Sequence, residues 1–390
     1  MRLSPLTGAV PIVFLSAGVV MGVASPTVAS EVRQPAPQTI YGPVTYPGTL
    51  ESVSAVSASD VWAVGFNSDN NNDSTALIEH WNGRFWSQVA TPRLKANGGS
   101  QLYGVSALAS DDAWAVGTVG TGTEYDTLIL HWDGTSWTQV PSPSPGGASG
   151  SYLFGVSAVS ATDIWAVGRT YNGPLILHWD GTAWTQVDAP GAVGTSLNSV
   201  AAVSGTDAFA VGNTFGAFSR PFVLRWDGTH WNQLTLGAAK RGRADQVTGV
   251  SATSASDVWA VGTTTTWRHV RRSPMILHFD GSSWQRVDGV NPGGRHGTQL
   301  AGVSAVNPHD VWAVGSYGID HSDLSRTFIE HWNGTSWRQT HTPNPGNDGI
   351  RDVNGIDALG RGAWAAGSFL DTGQVRSMTL NRIGNRWIQL

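Results

Sequence analysis

Five histidines, His80, His131, His178, His278 and His331, stand at one repeated position, and six aspartates, Asp60, Asp112, Asp163, Asp207, Asp257 and Asp310, stand at another. Gathered at one point, such residues would ligate a metal or run acid–base chemistry. Their spacing argues otherwise. A position that recurs every 44–53 residues is spread around a repeat architecture, too far apart to share one ion. The imidazoles are expected to hydrogen-bond within the scaffold. The aspartates, mostly preceded by Ser or Thr and followed by an apolar run, are expected to bind turn amides.

Chemistry that is not repeated is more informative. "TWRHVRR" (266–272) holds Trp267, Arg268, His269, Arg271 and Arg272; "KRGR" (240–243) adds Lys240, Arg241 and Arg243; "GGRHG" (293–297) adds Arg295 and His296. An aromatic among guanidiniums suits a sugar bearing a carboxylate or sulfate, by stacking and charge neutralisation together. The same surface would serve a polysaccharide lyase, with His269 or Tyr317 removing the proton α to a uronate carboxylate and Arg271 or Arg272 neutralising that carboxylate. Two weaker sets remain. Asp69, Asn71 and Asp73 in "DNNNDS" have calcium-like spacing but lack the loop glycine and a closing glutamate. Glu124, Asp126, Asp320 and Asp323 are the acids from which a hydrolase would draw a carboxylate pair.

These residues need a frame, and the frame is legible. Of 390 residues, 48 are Gly and 19 are Trp, while charged residues make up only 13 %. That profile fits a turn-rich all-β chain and not a disordered one. A formal charge of −5 gives no bulk attraction to nucleic acid. With no cysteine, disulfides, thiolate zinc sites and a Cys nucleophile are excluded. Residues 1–30 carry Arg2, an apolar run over 9–23 interrupted by Pro11, and small residues after it. This reads as a secretory signal, so the mature chain is expected outside the cell, without a membrane span. Residues 31–49 read as a linker or a closing strand, with "TIYGPVTY" (39–46) able to pair beside the last repeat.

"SASDVWAVG" (57–65) recurs six times, ending with the degenerate "ALGRGAWAAG" (358–367). Each copy is followed by a partner such as "LILHWDGTSWTQV". The units run approximately 50–97, 98–147, 148–193, 194–243, 244–296, 297–347 and 348–390. Each holds four short apolar runs, and Asp-Gly or Asn-Gly between the third and fourth signals a tight hairpin. The expected fold is a seven-bladed β-propeller of four-stranded antiparallel blades. Eighteen of the 19 tryptophans fall in three repeated columns and are expected to pack between blades; Trp267 is the exception.

The hairpin residues Asp133, Gly134, Thr135 and Trp137, and likewise Asp180, Gly181, Thr182 and Trp184, make the chain resemble Asp-box propellers, the group that includes sialidases and related secreted glycan-active proteins. It departs from that motif by one residue between Asp and Gly. Kelch propellers are similar too, without their Gly-Gly doublet. Sialidase activity is not implied, since "VTYPGTLESV" lacks the Phe/Tyr-Arg-Ile-Pro segment.

The first-to-second and third-to-fourth turns repeat, whereas the second-to-third loops and the crossovers between blades vary. Both variable sets emerge on one face, where function is expected. Three readings stay open: a module binding an extracellular anionic glycan, a lyase or glycoside hydrolase on that face, and a protein-interaction scaffold. No cofactor is required by any of them, and a monomer is expected.

Overall fold

The computed structural model describes residues 45–390 apart from 69–73, 95–97, 123, 217–218, 237–241, 267–270, 320–323, 347–348 and 361. Seven four-stranded antiparallel sheets follow one another along the chain, each in the order first, second, third, fourth. In blade one the strands are Thr49–Ser57, Asp60–Ser68, Ser74–Trp81 and Trp86–Gln88. The other first strands are Ser100–Ala109, Ser151–Ser160, Thr195–Ser204, Arg243–Ser254, Thr298–Asn307 and Arg351–Leu359. Each packs on the next and the last packs on the first, which closes a seven-bladed β-propeller. Helix among the described residues amounts to two single turns, Gly147–Ser149 and Gly294–His296.

The core is divided into seven clusters of buried side chains, one per blade interface. Aliphatic side chains make up most of each, with members of the tryptophan columns among them; between blades four and five Phe209 and Phe279 take two of those places beside half-buried Trp284. Trp62 of blade one lies 4.9 Å from Trp132 and 5.1 Å from Trp137 of blade two, the latter nearly perpendicular at 88°. Trp364 of blade seven meets Trp81 and Trp86 of blade one in the same way, at 5.3 and 5.6 Å. Indole N–H groups of the fourth-strand column have no hydrogen-bond partner. Edge-to-face packing is the arrangement in which a π face can receive them.

The repeated aspartates do not bind turn amides, as the sequence suggested. Asp60 Oδ1 lies 2.7 Å from His80 Nε2, and the pair recurs as Asp112–His131, Asp163–His178, Asp257–His278 and Asp310–His331 at 2.7–2.9 Å. The turn amide is already taken: Ser59 N donates to Ser57 Oγ at 3.2 Å. The imidazole stacks on the second-strand tryptophan, 4.2 Å between ring centres for His80 and Trp62. Blade four replaces the set with Arg225, which bonds Asp207 through two nitrogens and lies 5.3 Å over Phe209.

The glycine ending each "WAVG" answers a distortion in its neighbour. Every first strand skips one residue in its register with the second strand: Phe154 between Leu153 and Gly155 in blade three, and the matching residue in the other six. The bulge brings that backbone against the second strand. A Cβ on Gly168 would sit 1.8 Å from Tyr152 O. On the other side, a Cβ on Gly155 would sit 2.9 Å from Ser199 Cα of the next blade.

Closure uses the N-terminal side of blade one. Tyr46 N donates to Ser377 Oγ at 2.9 Å, Ser377 N to Tyr46 O at 2.7 Å, and Gly48 N to Val375 O at 3.1 Å. On blades two and six the crossover to the next blade covers this place, as where Thr127 Oγ1 meets Ser142 Oγ at 2.9 Å and Thr327 Oγ1 meets Thr342 Oγ1 at 2.8 Å. Tyr46 ends the "TIYGPVTY" stretch; its residues 39–44 lie outside those described. A second seam bond is particular to this interface. Ser54, Ser106, Ser157, Ser251 and Ser304 each accept an amide of a neighbouring blade at 3.0–3.2 Å. Blade seven has Asp357 there, accepting Ala55 N at 2.8 Å.

Two carboxyls sit where five blades carry leucine or its like. Glu79 and Glu330 are 0 % exposed. Glu330 Oε2 accepts Val290 N at 2.9 Å. Glu79 has no partner of normal geometry, and only the Ser377 hydroxyl pulls against its burial. Burial pushes both up to about 7. A raised acid helps the fold fully below its unfolded value near 4.5, and that help is lost as pH rises through 7. Stability should therefore fall between pH 5 and 8, by up to about 3 kcal/mol per residue. Asp357, pushed up to about 6 by burial, adds in the same direction. Melting temperature against pH checks this: the double variant Glu79→Gln, Glu330→Gln should flatten the slope, and an unchanged slope would disprove the assignment.

Candidate functional site

In an up-and-down blade, second-to-third loops and crossovers share one face. Polar and aromatic side chains gather there around a cleft and around the mouth of the central channel. The first lies between blades five, six and seven, encloses about 260 Å³, and is lined by Arg272, His296, Gln299, Ser316, Tyr317 and Asp352, among others. Arg272 Nη1 donates to Gln299 Oε1 at 3.2 Å, and Gln299 Nε2 donates to Ser316 Oγ at 3.1 Å. This chain of bonds fixes the guanidinium at the cleft wall. Arg295 Nε donates to His296 Nε2 at 3.0 Å, which orients the imidazole. The cleft therefore offers an oriented cation, an imidazole, a phenol and an amide, with one carboxylate.

The second concavity is the mouth of the central channel, about 520 Å³. The bulged residue of each first strand lines it: Glu51, Tyr103, Phe154, Asn198, Thr248, Ala301 and Asn354. Directly below, the next residues, glycine in five blades and Ser52 or Ser199 in the other two, bring the backbones together and narrow the channel to about 150 Å³. Arg169 and Phe215 extend the wall outward. Burial, with Asp352 nearby, pushes the Glu51 carboxyl up to about 7. Burial and the Glu51 charge push the Tyr103 hydroxyl up to about 12.

The architecture has solved counterparts. An ulvan lyase described as bound to -[GlcA(1-4)Rha3S]- is similar over 88 % of this chain and 96 % of its own, with a TM-score of 0.57 and 9 % identity. YCF48 bound to D1 peptide is similar over 89 % and 99 %, with a TM-score of 0.53 and 16 % identity. YCF48 from Cyanidioschyzon merolae gives 85 %, 95 %, 0.50 and 12 %. No protein-family model matches the chain, and no curated protein matches it. The likeness is one of fold, among proteins whose described ligands are a glycan and a peptide.

Of the residues singled out from sequence, Arg272, His296 and Tyr317 share the cleft. Arg271 is exposed and bonds Gly294 O at 3.4 Å instead. Arg243 pairs in strand register with Thr266 and does not line the cleft. Trp267, Arg268, His269, Lys240, Arg241, Asp69, Asn71, Asp73, Asp320 and Asp323 lie outside the described residues. Asp126 accepts Ser144 Oγ at 2.8 Å, which commits it to its own blade. Sequence reasoning missed the channel residues. Their signal was present in "ESV", "YGV", "FGV", "NSV", "TGV", "AGV" and "NGI": one varied position before two that repeat.

Proposed function

We propose that the chain binds an anionic glycan outside the cell, seating a carboxylate or sulfate against Arg272 in the cleft of blades five to seven. The observation that carries this is the convergence of Arg272, His296 and Tyr317 on one cleft, with the guanidinium held by Gln299. A planar guanidinium matches a carboxylate or sulfate in geometry as well as charge, and the phenol and amide suit sugar hydroxyls. Asp352 at the same cleft repels a second anion and so orients the polymer. The apolar segment at 9–23 supports an extracellular setting, where such polymers are met.

Calorimetric titration of uronate-containing and sulfated oligosaccharides tests the proposal. Arg272→Ala should weaken binding about tenfold or more, the size of a charge-assisted hydrogen bond, without lowering the melting temperature. Affinity of the wild-type chain should fall with salt, as exposed charge pairs are screened. If no such oligosaccharide binds in low salt, the proposal fails and a protein-interaction scaffold replaces it.

One observation favours a second reading. Tyr317 lines the cleft that holds Arg272, so a uronate carboxylate seated there would bring its α proton toward a phenol. A lyase leaves an unsaturated product that absorbs in the ultraviolet. Absorbance that grows with wild-type protein and not with Tyr317→Phe would establish catalysis; a flat trace with bound ligand would leave a binding module.

A further inference from the structure

The channel mouth is built differently from the cleft, and we infer that it is a second subsite of the same surface, taking a neutral, hydroxyl-bearing sugar unit beside the anionic one. This rests on the glycan reading above and extends it to the composition of the polymer.

The argument begins with the bulge. One backbone distortion, repeated in every first strand, delivers one side chain per blade to the mouth, while the Gly/Ser positions beneath it stay nearly constant. Packing does not demand the variation at the bulged position, because these side chains face a cavity. The mouth is also two-sided. Toward blades two to four it is aromatic: Tyr103 and Phe154 meet at 5.3 Å, and Arg169 lies between Tyr152 and Phe215 at 5.2 and 5.5 Å. The Arg169 cation is thus engaged by two ring faces.

Around the rest of the mouth the scaffold orients the polar groups, and each amide spends one of its two N–H donors on a backbone carbonyl. Asn198 Nδ2 donates to Val247 O at 2.8 Å, Asn354 Nδ2 to Leu50 O at 2.9 Å, and Thr248 Oγ1 to Leu300 O at 3.0 Å. The Tyr103 hydroxyl donates to Gln101 Oε1. What remains is mixed: one N–H on each Asn, the Asn354 Oδ1 and the Glu51 carboxyl, while Asn198 Oδ1 already accepts Ser196 Oγ at 3.3 Å. A wall that both donates and accepts, facing an aromatic wall, matches hydroxyl groups, which do both, better than a carboxylate or sulfate, which only accept. It fits a ring with hydroxyl donors on its edge and C–H groups on its face, which is a neutral pyranose.

The two concavities are neighbours. Gln299 of the cleft and Ala301 of the mouth are two residues apart on one strand, as are Asp352 and Asn354. Two residues of strand span about 7 Å, so neighbouring sugars of one chain can occupy both.

The probes are an oligosaccharide alternating uronate with a neutral sugar and an oligouronate of the same length, titrated into the full chain. The alternating probe should bind more tightly. Phe215→Ala, at a residue 53 % exposed, should weaken the alternating probe about fivefold, the size of one aromatic contact, and leave the oligouronate unchanged. Ala301→Trp, which fills the mouth, should do the same. Arg272→Ala should weaken both probes. If Phe215→Ala and Ala301→Trp leave the alternating probe unaffected while Arg272→Ala still weakens it, the mouth subsite is overturned and the glycan reading stands. Equal losses for both probes in the mouth variants overturn the selectivity for a neutral unit. If neither probe binds the wild-type chain, the glycan reading falls and takes this subsite with it.

Discussion

Gly168→Ala should destabilise the protein by about 3 kcal/mol or more, at or above the usual upper end for overpacking. The added Cβ would lie 1.8 Å from Tyr152 O, so one of two backbones has to move. Neither has room. The second strand carries Trp165 and Val167 into one interface cluster and Ile164 and Ala166 into another, and the bulged first strand is pressed against the next blade at Gly155. Urea unfolding followed by circular dichroism measures the loss. Gly216→Ala is the control, since a Cβ there meets nothing within 4 Å. If the two variants unfold at the same urea concentration, the close-approach argument is wrong.

Trp137→Ala should cost about 3–5 kcal/mol, the range for truncating a buried aromatic. Trp137 is 3 % exposed and packs against Trp62 of the preceding blade and Trp132 of its own. Its removal opens one of the seven interfaces over which stability is divided. Tyr171→Ala, at a residue 67 % exposed, should change the melting temperature little. Comparable shifts in the two variants would contradict the assignment of the tryptophan columns to inter-blade packing.

Blade number and strand order were legible in the sequence because local signals fix both. Asp-Gly hairpins mark the third-to-fourth turns, and runs such as "AWAVG" and "TLILHW" fit strands covered on both faces. The tryptophan columns were legible for the same reason: each sits at a constant offset from a turn. The Asp–His bonds were not, since Asp60 and His80 are 20 residues apart and meet only through strand pairing. Yet the repeats do carry the pairing. Blade four changes His to Arg225, and blade seven, with Gly362 in place of Asp, has Asn381 in place of His. The channel was illegible because a bulge breaks the alternation from which a strand's faces are read. Tyr103 and Phe154 looked like members of an apolar run and instead line a cavity. Arg272, His296 and Tyr317 were legible as neighbours only through blade order; which of the basic residues turn into the cleft depends on bonds such as Arg272 to Gln299.

Blade four's substitution has a consequence beyond its own interface. A chain of near-identical repeats faces a problem of mistaken identity: a blade can dock on the wrong neighbour, or on a blade of another molecule, and bury nearly the same surface. Copies that match too well would make those errors nearly isoenergetic with the native ring. The Arg225–Asp207 fork over Phe209 and Phe279 at blades four and five, Arg382 at 4.6 Å over Trp312 at blades six and seven, and the Asp357 bond to Ala55 are each found at a single interface. A slipped or exchanged blade would part Asp357 from the Ala55 amide, at a cost of about 1–3 kcal/mol, and would part Arg382 from the Trp312 face and Arg225 from the Phe279 face. The irregular interfaces thus act as addresses, and they give a repetitive chain one order in which to assemble.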